Sequence, residues 1–167
     1  INSAADADSE IEISAEFGNA SYTGFVTIGG ATAGIAAAGK EGSKLNSDDC
    51  AKLARFMRTC DAFSIPVVTF VNSEGFADAV SSIKAMTTLA NSYSEATTVK
   101  IAVVTGKAVG PVFAAVAGNS SNSDFTYAYP DAVIAPVSSA AAVEFMWHDK
   151  LKGTDNLESA RNELISE

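Results

Sequence analysis

Two short apolar runs constrain the fold of this chain more than any other feature. "PVVTFV" (66–71) and "VKIAVVTG" (99–106) are rich in β-branched residues, and each runs into a loop that contains glycine. Continuous apolar runs of this length are typical of strands buried on both faces of a parallel sheet. Segments with helical spacing precede, separate and follow them. The sequence therefore predicts an α/β domain with parallel strands and right-handed crossovers.

The amino-terminal part has a different pattern. "IEISAEF" alternates apolar and polar residues and predicts a strand over 11–17. "YTGFVTI" and "ATAGIAAAG" predict a hairpin with Gly29-Gly30 at its tip. Residues 1–10 are small, polar and acidic, so we expect them to fray and the folded domain to cover 11–167.

The clearest helix begins near Asn46 or Ser47, either of which can cap it, and ends before Pro66. A second helix is predicted over 77–96. Two short strands, "FTYAYP" and "AVIAPV", turn at Pro130 and Asp131. Further helices are predicted after Gly110, over "SSAAAVEFMW" and over "NLESARNELIS", the last with a possible capping box of Asp155 and Glu158.

Composition excludes several classes of function. Acidic residues outnumber basic ones by 20 to 11, for a net charge of −9, which argues against a nucleic-acid partner. Cys50 and Cys60 are predicted on one helix, about 15 Å apart, so they cannot form a disulfide. A reducing, cytoplasmic location is therefore expected. With His148 as the only histidine, we expect no metal.

The chain begins with Ile rather than Met, and its first residues are acidic and polar. These features predict no signal peptide. They also lead us to expect a processed subunit or a piece cut from a longer chain.

The candidate chemistry lies where the two apolar strands end. "NSEGF" (72–76) and "KAVGP" (107–111) follow these strands, and parallel sheets bind ligands at the carboxyl ends of their strands. Two such loops side by side could direct backbone N–H groups at one developing oxyanion. Glu74 is a candidate general acid or base, although a solvated loop carboxylate is the alternative. Pro111, at the first turn of the following helix, has no N–H to donate.

The central segment resembles a known family. "LNSDDCAKLARFMRTCDAFSIPVVTFVNSEGF" (45–76) is similar to the carboxyltransferase subunits of biotin-dependent acyl-CoA carboxylases and decarboxylases. "EFGNASYTGFVTIGGATAGIAA" (16–37), "YSEATTVKIAVVTGKAVG" (93–110) and "SDFTYAYPDAVIAPV" (123–137) resemble flanking parts of the same family. The similarity runs from about residue 11 to 150 and covers the carboxyl-terminal half of such subunits.

The resemblance implies a crotonase/ClpP-like fold of β-β-α units in a superhelix. It implies transfer of a carboxyl group between biotin, held on a separate carrier protein, and a short acyl-CoA, with no metal. The implied partners are an amino-terminal carboxyltransferase half and a biotin carboxyl carrier protein, in a homo- or hetero-oligomer. Gly75, Phe76, Gly110 and Val112 would shape the oxyanion loop by backbone. Three further residues would line the substrate site: Glu74, Ala108 and Pro111.

The departures from the family pattern fall in these loops. The family's D-x-P-G-F is Asn72-Ser73-Glu74-Gly75-Phe76 here, and Pro111 stands where the family has glycine. A missing donor of this kind costs about 10²–10³ in rate. Pro111 also suits the first position of a helix. Two alternatives to a working transferase half therefore stay open: a non-catalytic scaffold subunit, and a crotonase-like hydrolase or isomerase that uses Glu74.

Overall fold

Residues 5–77, 80–147 and 157–166 are described by the computed structural model. They contain seven strands and five helices. The strands are β1 (Ile11–Glu12), β2 (Ser21–Ile28), β3 (Ala31–Gly42), β4 (Val67–Ser73), β5 (Lys100–Val109), β6 (Phe125–Ala128) and β7 (Val133–Ala135). The helices are α1 (Ser47–Ala62), α2 (Val80–Glu95), α3 (Pro111–Val116), α4 (Ser139–Met146) and α5 (Leu157–Ser166).

The sheet joins an antiparallel start to a parallel body, as the sequence predicts. Its order is β1-β2-β3-β4-β5-β6, and β7 also pairs with β5. Strands β1, β2 and β3 pair antiparallel, whereas β3, β4, β5 and β6 pair parallel. The carboxyl ends of β4 and β5 consequently lie side by side at one edge.

The hairpin of β2 and β3 turns at Gly29-Gly30, with φ of 59° and 80°. Positive φ at both turn residues is the geometry that two-residue hairpin loops favour. Asp6 accepts hydrogen bonds from both glycine N–H groups, at 3.0 and 2.8 Å. The fraying of residues 1–10 in solution stays a prediction.

The strand predicted over 11–17 is wrong beyond Glu12. Ser14 has a φ of 58°, and the Phe17 N–H donates to the Ser14 carbonyl oxygen at 3.1 Å. This turn lifts residues 14–17 out of the sheet. The alternation of apolar residues in "IEISAEF" does not reveal the turn. Residues 11 and 12 fit the strand pattern equally well whether the strand continues to residue 17 or ends at Glu12.

Helix α1 confirms the predicted cap. The Asn46 side chain accepts from the Asp48 and Asp49 N–H groups, and Asp49 accepts in return from the Asn46 N–H. The second carboxylate oxygen of Asp49 accepts from the Ala20 N–H at 2.9 Å, which joins the helix start to the entry of β2. Cys50 and Cys60 are both free and buried in this helix. Burial raises the pKa of each thiol to about 12.

One hydrophobic core holds the loops at the carboxyl edge. It includes Leu53 and Met57 of α1, Val71 of β4, Val104 of β5 and Val112 of α3, all fully or nearly fully buried. The apolar stripes predicted for the helices include some exposed members. Phe63, Val80 and Ile83 are exposed, because Phe63 lies at the end of α1 and the other two lie in the first turn of α2.

The chain divides into two compact units, Ile1–Ile134 and Ala135–Glu167. In the second unit, Ser138 caps α4 by accepting from the Ala141 N–H. Arg161 of α5 forms an ion pair with Glu144 of α4. The predicted capping residue Asp155 lies outside the described residues, as does His148.

Candidate functional site

The two strand-end loops meet. Ser73 pairs with Ala108 at the ends of β4 and β5. A Cβ built on Gly75 would lie 3.7 Å from the Val109 carbonyl oxygen. The structure thus brings residues 74–76 beside residues 107–112, as predicted from the two apolar runs.

The Phe76 N–H points away from the neighbouring segment at Leu45. Leu45 donates to the Gly75 carbonyl oxygen at 2.9 Å and accepts from the Ala77 N–H at 2.8 Å. Because alternate residues of an extended segment point their backbone groups to opposite sides, the Phe76 N–H faces away from Leu45. Among the described residues it has no hydrogen-bond acceptor. It is therefore available to a ligand.

The start of α3 holds a second candidate donor, the Val112 N–H. Pro111 occupies the first helical position, and Gly110 before it makes no side-chain cap. The first N–H groups of a helix have no intrahelical acceptor, so the Val112 N–H depends on a partner from outside the helix. Val112 as a whole is fully buried, its N–H included, and its side chain fixes this turn against the core.

Gly75 contributes less than the sequence pattern indicates. Its N–H already donates to Ser73 Oγ at 3.3 Å, and its carbonyl oxygen accepts from both Leu45 and Ser73. The Ser43 carbonyl oxygen lies 2.7 Å from the same Ser73 hydroxyl, so the two carbonyl oxygens share its single proton. Gly75 therefore shapes the loop, and Phe76 is the better candidate donor.

Glu74 has a partner that the sequence does not reveal. Its carboxylate forms an ion pair with Lys107 Nζ at 2.6 Å, and both side chains are about half exposed. The hydrogen bond and charge of Lys107 hold the pKa of Glu74 below its ordinary value. A carboxylate stabilised in its ionised form is a weaker base, so the pair disfavours Glu74 as a general acid or base.

Two other residues of the loops have structural roles. Ala108 is fully buried, backbone included, so it supports the loops from below and presents no surface at the open edge. Asn72 accepts from the Lys107 N–H at 3.0 Å and so ties the two loops together a second time. Opposite charges on two loops that follow adjacent strands were the one sequence signal that could have indicated the contact between Glu74 and Lys107.

Other classes of site find no support in the part of the chain that the structure describes. No cluster of three or more histidine, cysteine or acidic side chains there could hold a metal ion. Among the described helices, none has the length and apolar character to cross a bilayer.

A comparison with protein families gives a match over the whole chain. Residues 1–167 match the model described as "Carboxyl transferase domain". The chain is 32% identical, over 100% of its length, to a propionyl-CoA carboxylase carboxyltransferase subunit from Haloferax mediterranei. It is also 32% identical, over 87% of its length, to the methylmalonyl-CoA decarboxylase subunit alpha of Propionigenium modestum.

A solved structure of transcarboxylase 12S, described as a hexamer with methylmalonyl-coenzyme A bound, has a similar fold. It superimposes with a TM-score of 0.86 at 29% identity, over 98% of this chain and 33% of that one. The two sequence relatives are covered to 34% and 29% of their lengths. The chain thus spans about a third of the proteins it resembles, and the match confirms the predicted crotonase-like fold.

Proposed function

The chain belongs to the carboxyl transferase domain family, and from that premise we propose that it is the biotin-facing half of an acyl-CoA carboxyltransferase. In this proposal it moves a carboxyl group between biotin and a short acyl-CoA. The observation that carries the proposal is the contact of the two strand-end loops at Gly75 and Val109, where the Phe76 N–H has no acceptor among the described residues and α3 begins close by.

The proposed chemistry needs no catalytic side chain. Carboxyl transfer develops negative charge on a carbonyl or ureido oxygen, and fixed N–H groups stabilise such a charge more than they stabilise the neutral ground state. Phe76 would act as such a donor, Gly75 and Gly110 would set the course of the two loops, and Pro111 limits the site because it has no N–H.

The proposed cofactor is biotin on a separate carrier protein, with acyl-CoA as substrate. Lys107 and Glu74 stand at the rim of the loops, where an anionic substrate would meet the lysine and displace part of its pairing with the glutamate. The proposed partners are an amino-terminal carboxyltransferase half and the biotin carrier, and the cytoplasmic location stays a prediction.

A second candidate function is a non-catalytic scaffold subunit of such a complex. Pro111 favours it, because this residue removes an N–H from the helix start that faces the loops. The two functions differ in one respect that can be measured, namely whether the assembly that contains this chain transfers a carboxyl group.

The deciding experiment measures transfer of a labelled carboxyl group from methylmalonyl-CoA, the carboxylated form of propionyl-CoA, to free biotin. It compares the native assembly with its Pro111→Gly variant. We expect the native assembly to transfer the carboxyl group. In the variant we expect the rate of transfer to change by about tenfold or more, because glycine adds a backbone N–H donor at this position. Pro130→Gly, in the exposed turn between β6 and β7, is the matched control and should leave the rate unchanged.

Other outcomes assign the alternatives. Turnover that appears only in Pro111→Gly would identify a scaffold that has lost its donor. No turnover in either protein, with the assembly intact, would contradict the transferase proposal. A hydrolase or isomerase that relies on Glu74 would lose its turnover in Glu74→Gln, whereas a carboxyltransferase that relies on backbone donors would keep it.

A further inference from the structure

A pocket of about 120 Å³ lies between residues 13–17, strand β2 and helix α1. It shares no residue with the loops that end β4 and β5, so it is separate from the proposed transfer site. Its walls combine aromatic side chains with two cations, Lys52 and Arg55 of α1.

The apolar wall has a fixed shape. Phe25 and Phe56 contact each other with ring centroids 5.2 Å apart and planes tilted by 48°. Thr23 Oγ1 donates to the Ile13 carbonyl oxygen at 2.8 Å, which holds the segment over the pocket against β2. A cavity of about 150 Å³ is enough to hold a benzene molecule. The pocket here, open on one side, suits an apolar group of similar size.

Lys52 is a buried cation with unused donors. Its side chain lines the pocket, the residue is 3% exposed, and its ammonium group donates to the Ser21 carbonyl oxygen at 3.1 Å. An ammonium group has three protons. Among the described residues, the Ser21 carbonyl oxygen is the one hydrogen-bond acceptor of the Lys52 ammonium group. Two of the three ammonium protons are therefore left for another partner. A buried charge with incomplete hydrogen bonding is costly, and an anion beside it would remove that cost.

Arg55 adds a second cation without a salt bridge one turn further along α1. It is exposed and lines the same pocket, and its guanidinium group makes no ion pair or hydrogen bond with a described residue, although its carbonyl oxygen accepts from the Thr59 hydroxyl at 3.0 Å. Like charges three residues apart on a helix repel each other. This pairing of cations occurs in a chain with a net charge of −9, where acidic partners are plentiful.

The carboxylates near Lys52 attract it without forming a salt bridge with it. The Glu12 carboxylate attracts Lys52 but forms no salt bridge with it, and Lys40 adds a further positive charge. The Asp49 carboxylate also attracts Lys52, but its two oxygens accept from the N–H groups of Ala20 and Asn46 and form no salt bridge with the lysine. Burial is the largest influence on Lys52 and lowers the pKa of its ammonium group.

We propose that this pocket binds a small organic carboxylate. Its charged group pairs with Lys52 and Arg55, and its apolar body packs against Phe25 and Phe56. The ligand class follows from the walls: an anion without an apolar body would leave the aromatic side unused, and an apolar molecule without charge would leave the cations uncompensated.

The test titrates benzoate into the native protein and follows its signals by ligand-observed NMR. For a ligand of this size we expect a dissociation constant of about 1 mM. Lys52→Met, which keeps the apolar stem, and Arg55→Gln should each weaken binding at least tenfold. Lys84→Met, which removes the same charge from the exposed surface of α2, is the matched control and should bind benzoate as the parent does.

Two results would overturn the proposal. One is unchanged benzoate affinity in Arg55→Gln, which keeps its fold because the Arg55 side chain is exposed and bonds to no described residue. This variant decides the matter if Lys52→Met does not fold. The other is inorganic phosphate binding as tightly as benzoate, since the aromatic wall would then contribute nothing. Neither result depends on carboxyl transfer, so this proposal and the transferase proposal can fail separately.

Discussion

Gly39 is the residue at which backbone contacts are tightest. It has a φ of 92°, and a Cβ built on it would lie 2.2 Å from the Asn72 carbonyl oxygen. A side chain there would meet both a conformational penalty and a clash with the backbone of β4. Because Asn72 also accepts from the Lys107 N–H, a shift at Gly39 would be passed to both loops of the candidate site.

We therefore expect Gly39→Ala to lower the free energy of unfolding by about 3–5 kcal/mol. Gly29→Ala is the matched control. Gly29 also has a positive φ, but a Cβ there meets nothing within 4 Å, so the expected loss is about 1 kcal/mol. Urea unfolding of both variants measures the difference. Equal losses would mean that the chain relaxes around Gly39 without strain.

Residue types at the candidate site could be predicted from the sequence, but their contacts could not. The loops at Gly75 and Gly110 were found because glycine after an apolar strand has few uses other than a turn. The pairing of Glu74 with Lys107 was missed because the two residues lie 33 positions apart. The engagement of the Gly75 N–H by Ser73 depends on a side-chain rotamer, which no pattern of residues specifies.

At the scale of elements, Asp61 connects the end of α1 to the turn before β5. Its Oδ1 atom accepts from the Thr97 and Thr98 N–H groups at 2.7 and 3.0 Å, and from the Thr97 hydroxyl at 3.1 Å. The backbone hydrogen bonds from Thr98 and Thr97 lower the pKa of this carboxyl group from its ordinary 3.8. One carboxylate thereby holds the end of α1, which leads into β4, against the turn that leads into β5. These two strands carry the candidate loops.

This link predicts a pH dependence. A carboxyl group whose pKa is lower in the folded state stabilises the fold above pH 3.8, and the stabilisation is lost as pH falls through the folded pKa. Asp61→Asn should therefore lower the unfolding temperature at pH 6 and reduce its fall between pH 4 and pH 2. Asp131→Asn, in an exposed turn, serves as the control. A parent-like pH profile in Asp61→Asn would contradict the prediction.

Elements were predicted well where local signals agree. Asn46, Asp48 and Asp49 mark the start of α1 without help from the rest of the chain, and Gly29-Gly30 marks the hairpin. The strand over 11–17 failed because its end is set by the turn at Ser14, a turn-forming residue type that stood at a polar position of the alternating pattern. The exposed start of α2, at Val80 and Ile83, shows that an apolar stripe locates a helix better than it locates burial.

At the scale of the whole molecule, the family and the fold could be predicted, but the assembly could not. The segment 45–76 carries enough specific residues to identify the family from sequence alone. The chain spans about a third of the length of the relatives it matches, so the single sequence does not determine what assembles around the candidate loops. The transcarboxylase 12S structure is a hexamer, whereas a single sequence does not determine how many subunits the present protein assembles.

We expect native mass spectrometry of the protein from its own cells to give the mass of a hetero-assembly. It should contain a second carboxyltransferase-like half, on this chain or another, and a biotinylated protein that avidin detects. Treatment with excess free biotin, which leaves covalent biotin in place, is the control for nonspecific capture. A homo-oligomer without biotin would favour the scaffold function.

The register of the sheet at its carboxyl edge has a consequence for how this chain can vary. While β4 advances from Val71 to Ser73, β3 advances from Ala38 to Gly42 and β5 from Val104 to Ala108. The central strand is thus two residues shorter than both of its neighbours over the same step. An insertion or deletion in any one of the three strands would misalign it with the other two. Homologous chains should therefore differ in length outside this part of the sheet and keep the residue spacing of all three strands within it.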